Sequence, residues 1–169
     1  MRRSVFDILR DEVVGSLWLD LYAGSGSFGI EALSRGAALA WFVESGEDGA
    51  QCLAENLISL ALAPPEACLV RASLPGWLLT DPPIESGFGI VSMDPPFQVS
   101  RHADQLLRLT SALSKAASRG LFKPGALLLW EEPSDAPRPV PPRFEEVDLR
   151  EHGTSRVRFL RVLPPETAA

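Results

Sequence analysis

Cysteine is nearly absent from this sequence of 169 residues: Cys52 and Cys68 stand alone, without a CxxC spacing or a neighbouring histidine. That excludes a disulfide framework and a cysteine-built zinc site, and both thiols fall in apolar patterns that read as reduced core positions. Histidine is as scarce, and His102 and His152 stand apart from further ligand candidates, so no metal is expected. No apolar run approaches the ~20 residues of a membrane span, and no apolar signal region opens the chain. A cytoplasmic protein without membrane association is therefore expected. An excess of basic charge is lacking too: 16 Lys and Arg stand against 22 Asp and Glu, a formal net charge of −6. Affinity for nucleic acid comes largely from Lys and Arg displacing counterions, so such a partner requires arginines clustered locally.

What is present fits one globular domain over residues 1–169, with 46% hydrophobic residues for a sizeable core. Periodicity predicts helices over 3–14, 27–35, 47–61 and 102–118, and strands over 16–22, 39–43, 67–71, 88–93 and 126–131. Lys123-Pro124-Gly125 reads as the turn into the last of these strands. Five β/α units with right-handed crossovers imply a mostly parallel, doubly wound α/β sheet that binds ligands at the carboxyl ends of its strands. The proline-rich stretch 132–143 reads as a loop, and 144–149 with 155–163 as a terminal antiparallel pair.

Asp94-Pro95-Pro96-Phe97 directly follows the apolar run 88–93. Two prolines fix φ and remove two donors, which leaves carbonyls beside a carboxylate as acceptors only. A planar amine docks against such a group, and Phe97 offers a face on which a heterocycle stacks. Taken alone, the tetrapeptide reads equally as a strand terminator followed by a core Phe.

Upstream, the buried strand ending at Tyr22 runs into Ala23-Gly24-Ser25-Gly26-Ser27-Phe28-Gly29 and then into a helix. Gly24-x-Gly26-x-x-Gly29 matches the dinucleotide fingerprint, with Glu44 at the spacing of a ribose-binding acid. Asp20 discriminates. A carboxylate at that strand end repels a pyrophosphate and suits an ammonium, so the charge pattern favours S-adenosylmethionine over NAD. That molecule carries an ammonium, a sulfonium and a ribose diol for Glu44, and no phosphate.

The stretch from Asp20 to Ala37, then Phe42-Val43-Glu44, Asn56-Leu57 and Asp94-Pro95-Pro96-Phe97, resembles the RsmD family over nearly the whole chain. The resemblance implies a class I, Rossmann-like methyltransferase that uses S-adenosylmethionine to methylate the exocyclic N2 of a guanine in 16S ribosomal RNA, of the guanine 966 type. It implies a catalytic group of Asp94, Pro95, Pro96 and Phe97. It implies a cofactor site of Asp20, Tyr22, Ala23, Gly24, Ser25, Gly26, Glu44, Ser45, Ser73, Leu74 and Asp94. Ser73 stands where the family commonly has Asp or Asn for the adenine amino group, so weaker adenine selection is expected. Against the family's pattern, the N-terminal basic β-hairpin is expected to be missing ahead of the first helix. Arg2, Arg3 and Arg101 are the expected RNA contacts, with Arg10, Arg150, Arg156, Arg158 and Arg161 as further candidates. A monomer acting on a small-subunit assembly particle is expected. Rival readings are a DNA adenine-N6 or cytosine-N4 methyltransferase, a protein-glutamine methyltransferase, a non-catalytic cofactor-binding ribosome assembly factor and, most distantly, an NAD-linked oxidoreductase.

Overall fold

The computed structural model describes residues 2–165 and, for Arg2, the backbone alone. Helix α1 (Arg2–Val13) leads into β1 (Leu17–Leu21), followed by α2 (Ser27–Ser34), β2 (Leu39–Glu44), α3 (Glu47–Ser59) and β3 (Ala67–Arg71). A 3₁₀ turn, η1 (Gly76–Leu79), precedes β4 (Phe88–Met93), the short α4 (Phe97–Arg101) and α5 (Ala103–Ser118). The long β5 (Phe122–Pro133) and the hairpin of β6 (Phe144–His152) and β7 (Ser155–Val162) complete one sheet, in the order β3-β2-β1-β4-β5-β7-β6. The five strands β1 to β5 pair in parallel, and β7 runs antiparallel to both neighbours. The expected mostly parallel, doubly wound α/β sheet with a C-terminal antiparallel hairpin is the architecture found.

Side-chain alternation along the strands explains the layering. Trp18, Phe42, Ile90, Leu129 and Phe159 face α1, α2 and α3, where they meet Phe6, Leu9, Ala32 and Leu53. Leu19, Leu21, Val91, Met93, Leu128 and Trp130 face the other way, against Leu106, Leu109 and Leu113 of α5 and Leu78 of η1. Central parallel strands covered on both faces need apolar residues at nearly every position, and β1, Leu-Trp-Leu-Asp-Leu, breaks that rule once, at Asp20. Strand order reverses between β1 and β4, and the crevice at such a switch point is where open α/β sheets hold ligands.

Lys123-Pro124-Gly125 is not the expected turn but a bulge inside β5, which starts at Phe122. Pairing jumps there from Phe88 opposite Phe122 to Ile90 opposite Leu127, and Gly125 takes φ 77°. Neither η1 nor α4 was expected, because four or five residues are too few to show a helical period. No helix among the described residues is long and apolar enough to cross a membrane.

Arg156 and Arg158 do not serve as surface charges. Their exposures are 6% and 0%, and they form a buried network under the proline-rich loop. Arg156 donates to Glu132 Oε1 and to the carbonyls of Ser134 and Ala136, each at 2.7 Å. Arg158 donates to Glu146 at 2.6 Å and to the Pro139 carbonyl at 3.0 Å, over the ring of Trp130. Burial of an arginine fork calls for acceptors, and two carboxylates with three loop carbonyls supply most of them; Arg158 Nη1 finds no hydrogen-bond partner among the described residues.

Candidate active site

The glycine loop between β1 and α2 is shaped by two carboxylates. Asp20, 4% exposed, accepts the Gly29 N–H at 3.1 Å and the Ser92 hydroxyl at 2.6 Å, and Ser92 in turn accepts Trp18 Nε1–H at 2.9 Å. This corrects the expectation that Asp20 presents its carboxylate to a ligand. Strand alternation directs it beneath the first turn of α2, where it satisfies an amide that the helix leaves unpaired. Glu44, at the end of β2, accepts the Gly24 N–H at 2.7 Å and the Gly46 N–H at 2.6 Å. An ionised carboxylate has about four acceptor positions, so these two bonds hold the loop and leave capacity for hydroxyls.

The glycines have separate tasks. A Cβ on Gly26 would lie 2.2 Å from Leu53 of α3, and one on Gly29 would lie 2.3 Å from the buried Phe42 ring, so both allow α2 to close on its neighbours. A Cβ on Gly24 meets nothing within 4 Å, and its φ is 53°. Tyr22 also takes a left-handed backbone, φ 56°, which turns its ring out of strand alternation and onto the α5 side of the sheet. Its hydroxyl finds no hydrogen-bond partner among the described residues, and burial pushes the phenol up to about 12. Ala23 donates its N–H to the Val43 carbonyl, and the Ser25 carbonyl accepts from Asn56.

A cleft of about 520 Å³ opens at the switch point. Tyr22 lines it from β1, Glu44, Ser45 and Gly46 from β2, and Asp94, Pro95, Pro96 and Phe97 from the end of β4. Glu131, Glu132 and Pro133 of β5, with Ser155 at the start of β7, form the far wall, which sequence reasoning missed. The signal was available, since β7 enters the sheet where the parallel strands end. Four carboxylates and no cationic side chain face this cleft among the described residues. Phe97 is 70% exposed, with its ring open to the cleft rather than packed in the core. Asp94 is open to solvent, yet the surrounding protein mass raises its carboxyl above the ordinary aspartate value. Burial raises Glu132 as well, while the hydrogen bond from Arg156 and the charges of Arg158 and Arg156 pull it back down.

Of the expected cofactor residues, Asp20, Ala23, Gly24, Ser25, Gly26, Ser73 and Leu74 are not among those lining the cleft, and the last two lie farthest along the chain from the glycine loop. Ser73 is exposed beyond the end of β3 and is not among the residues lining the cleft; its carbonyl accepts the Trp77 N–H at 3.0 Å as the chain turns into η1. Leu74 is half-buried against the α5-side core. Of the expected RNA contacts, Arg3 is exposed on α1, the side chain of Arg2 lies outside what is described, and Arg101 donates to both oxygens of Asp135 at 2.8 and 3.0 Å.

A ligand that fits this lining carries positive charge and hydroxyl groups and no phosphate, because Glu44, Asp94 and Glu131 give the cleft an acidic lining that repels an anion. The seven-stranded order and the cleft at its switch point define a class I methyltransferase. The chain belongs to the family described as Conserved hypothetical protein 95, whose profile matches residues 1–161. Ribosomal RNA small subunit methyltransferase D of Haemophilus influenzae is 33% identical over 141 residues, 83% of this chain and 69% of that protein. The protein of the same name from Buchnera aphidicola is 28% identical over 160 residues, 94% of this chain and 76% of its own length. Among solved structures, a candidate methylase from Haemophilus influenzae superposes with a TM-score of 0.79 at 29% identity, covering 96% of each chain.

Proposed function

We propose that this chain transfers a methyl group from S-adenosylmethionine to the exocyclic N2 amine of a guanine in small-subunit ribosomal RNA. The observation that carries the reading is the sharing of one cation-free cleft by Glu44, the Asp94-Pro95-Pro96 acceptors and an outward-facing Phe97. The names of the relatives support the ribosomal RNA substrate. The cofactor's charge and ribose diol suit the lining, with Glu44 as the acceptor for the hydroxyls and the loop 22–26 with Ser45 as the surrounding wall. When bound, it supplies an electrophilic methyl group on a positively charged sulfur.

The remaining work belongs to the protein. The nitrogen lone pair of a guanine amine is conjugated with the ring, and acceptors that hold its two protons make it available for attack. Asp94 and the Pro95 carbonyl, both of cleft-lining residues, are the acceptors proposed for this. A carboxylate fixed beside a nitrogen that gains positive charge stabilises the transition state more than the neutral amine, which raises kcat. Stacking on Phe97 restricts the base to a reactive orientation and so removes part of the entropic barrier. With a net charge of −6, the chain suits an RNA already partly neutralised by ribosomal proteins, which makes an assembling small subunit the proposed substrate.

Mass mapping of ribosomal RNA from cells lacking this gene tests the assignment. One missing N2-methylguanine in small-subunit RNA, restored by this chain, is the expected result; an unchanged methylation map overturns it.

A further inference from the structure

Asp94 has a carboxylate neighbour that its motif does not contain. The pairing of β4 with β5 ends with Met93 opposite Trp130, and Asp94 and Glu131 each follow that last pair by one residue. Both of these acids line the cleft that holds Phe97. Glu132 also lines the cleft. It is 2% exposed and is paired with Arg156 at 2.7 Å and Arg158 at 3.7 Å, so its charge is compensated inside the protein.

Two adjacent carboxylates read more of a base than one does. An ionised carboxylate accepts and never donates. Asp94 alone suits any exocyclic amine, whether on guanine, adenine or cytosine. The amines differ in the ring atom beside them: guanine N2 neighbours N1–H, a donor, whereas adenine N6 and cytosine N4 neighbour a ring nitrogen that is an acceptor. A second carboxylate next to Asp94 is satisfied by guanine's donor–donor edge. Against adenine or cytosine it would meet a lone pair with a lone pair, in a partly desolvated site where that mismatch is costly. We infer that Glu131 accepts the N1–H of the target guanine and so sets base specificity, an inference that rests on the methyltransferase reading above.

The test uses small-subunit RNA, naked or assembled as activity requires, splint-ligated to carry guanine or 2-aminopurine at the mapped position. 2-Aminopurine keeps the amine at the same ring carbon but presents an acceptor at N1. The native chain is expected to favour guanine by about 100-fold in kcat/KM, the scale of a lost hydrogen bond to a charged group. Glu131→Gln offers an amide donor to N1 of 2-aminopurine, so it should shrink or invert that ratio. Equal losses on both bases, or an unchanged ratio, overturn the assignment. A native chain that methylates guanine and 2-aminopurine alike overturns it without any variant. A native chain that methylates no guanine in this RNA instead overturns the proposed function itself.

Discussion

Single carboxylates in this protein take opposite roles according to which way the backbone turns them. Asp20 holds α2 on the sheet, while Asp94 stands in the cleft with its carboxyl raised by burial. The folded protein therefore keeps the Asp94 proton to higher pH than the unfolded chain does. The associated stability is fully present below the unfolded value and is lost as pH rises through the folded one. Asp94→Asn should accordingly raise Tm at neutral pH, which calorimetry would show; a lowered Tm would contradict it. Activity is expected to run the other way, because the ionised form holds the amine. The kcat profile should fall on acidification with a midpoint above that of ordinary aspartate. Asp94→Ala should lower kcat by at least about 100-fold, as loss of a transition-state hydrogen-bonding group does, with cofactor affinity largely retained. Calorimetric titration and single-turnover rates on one preparation separate those two effects.

At the scale of elements, closeness of approach decides what each glycine and each arginine costs to change. Gly29→Ala drives a Cβ into the Phe42 ring, which is 0% exposed and cannot retreat. Overpacking of this kind costs about 1–3 kcal/mol, and Tm should fall by about 2–4 °C for each of them. Gly24→Ala meets only open space, so its stability cost is the left-handed backbone alone, about 1–2 kcal/mol, and any further loss should appear in cofactor affinity. Arg156→Ala removes three bonds that hold Ser134, Ala136 and Glu132 and leaves the buried Glu132 carboxylate with Arg158 alone, at 3.7 Å. A loss of about 3–5 kcal/mol in urea unfolding is the expected result. The positions of the glycine motif, the tetrapeptide and nearly every strand were legible in the sequence, because local chemistry and apolar period fix them. The Arg156 and Arg158 network was not. Their burial follows from pairing β7 between β5 and β6, a contact between segments far apart in the chain, and in sequence they look like solvated charges.

For the whole molecule, the acidic balance and the cation-free cleft point to one class of ligand. S-adenosylhomocysteine should bind in calorimetry and NAD should not, since the latter brings a pyrophosphate against Glu44, Asp94 and Glu131. At a hundredfold excess over its Kd, the bound ligand should raise Tm by about 5–10 °C, the scale of ~2.7 kcal/mol in a domain of this size. Sequence alone determined the doubly wound sheet, because strand period and crossover handedness are local or additive properties; its argument for a phosphate-free cofactor rested on Asp20, which the fold turns away from the cleft, and the acidic lining of Glu44 and Asp94 carries that argument instead. Tertiary structure decided the rest: that Asp20 faces a helix, that Ser73 turns away, that Arg101 is occupied by Asp135, and that Glu131 shares the cleft with Asp94. Each of these depends on register or backbone handedness between distant segments, and no local pattern carries that information.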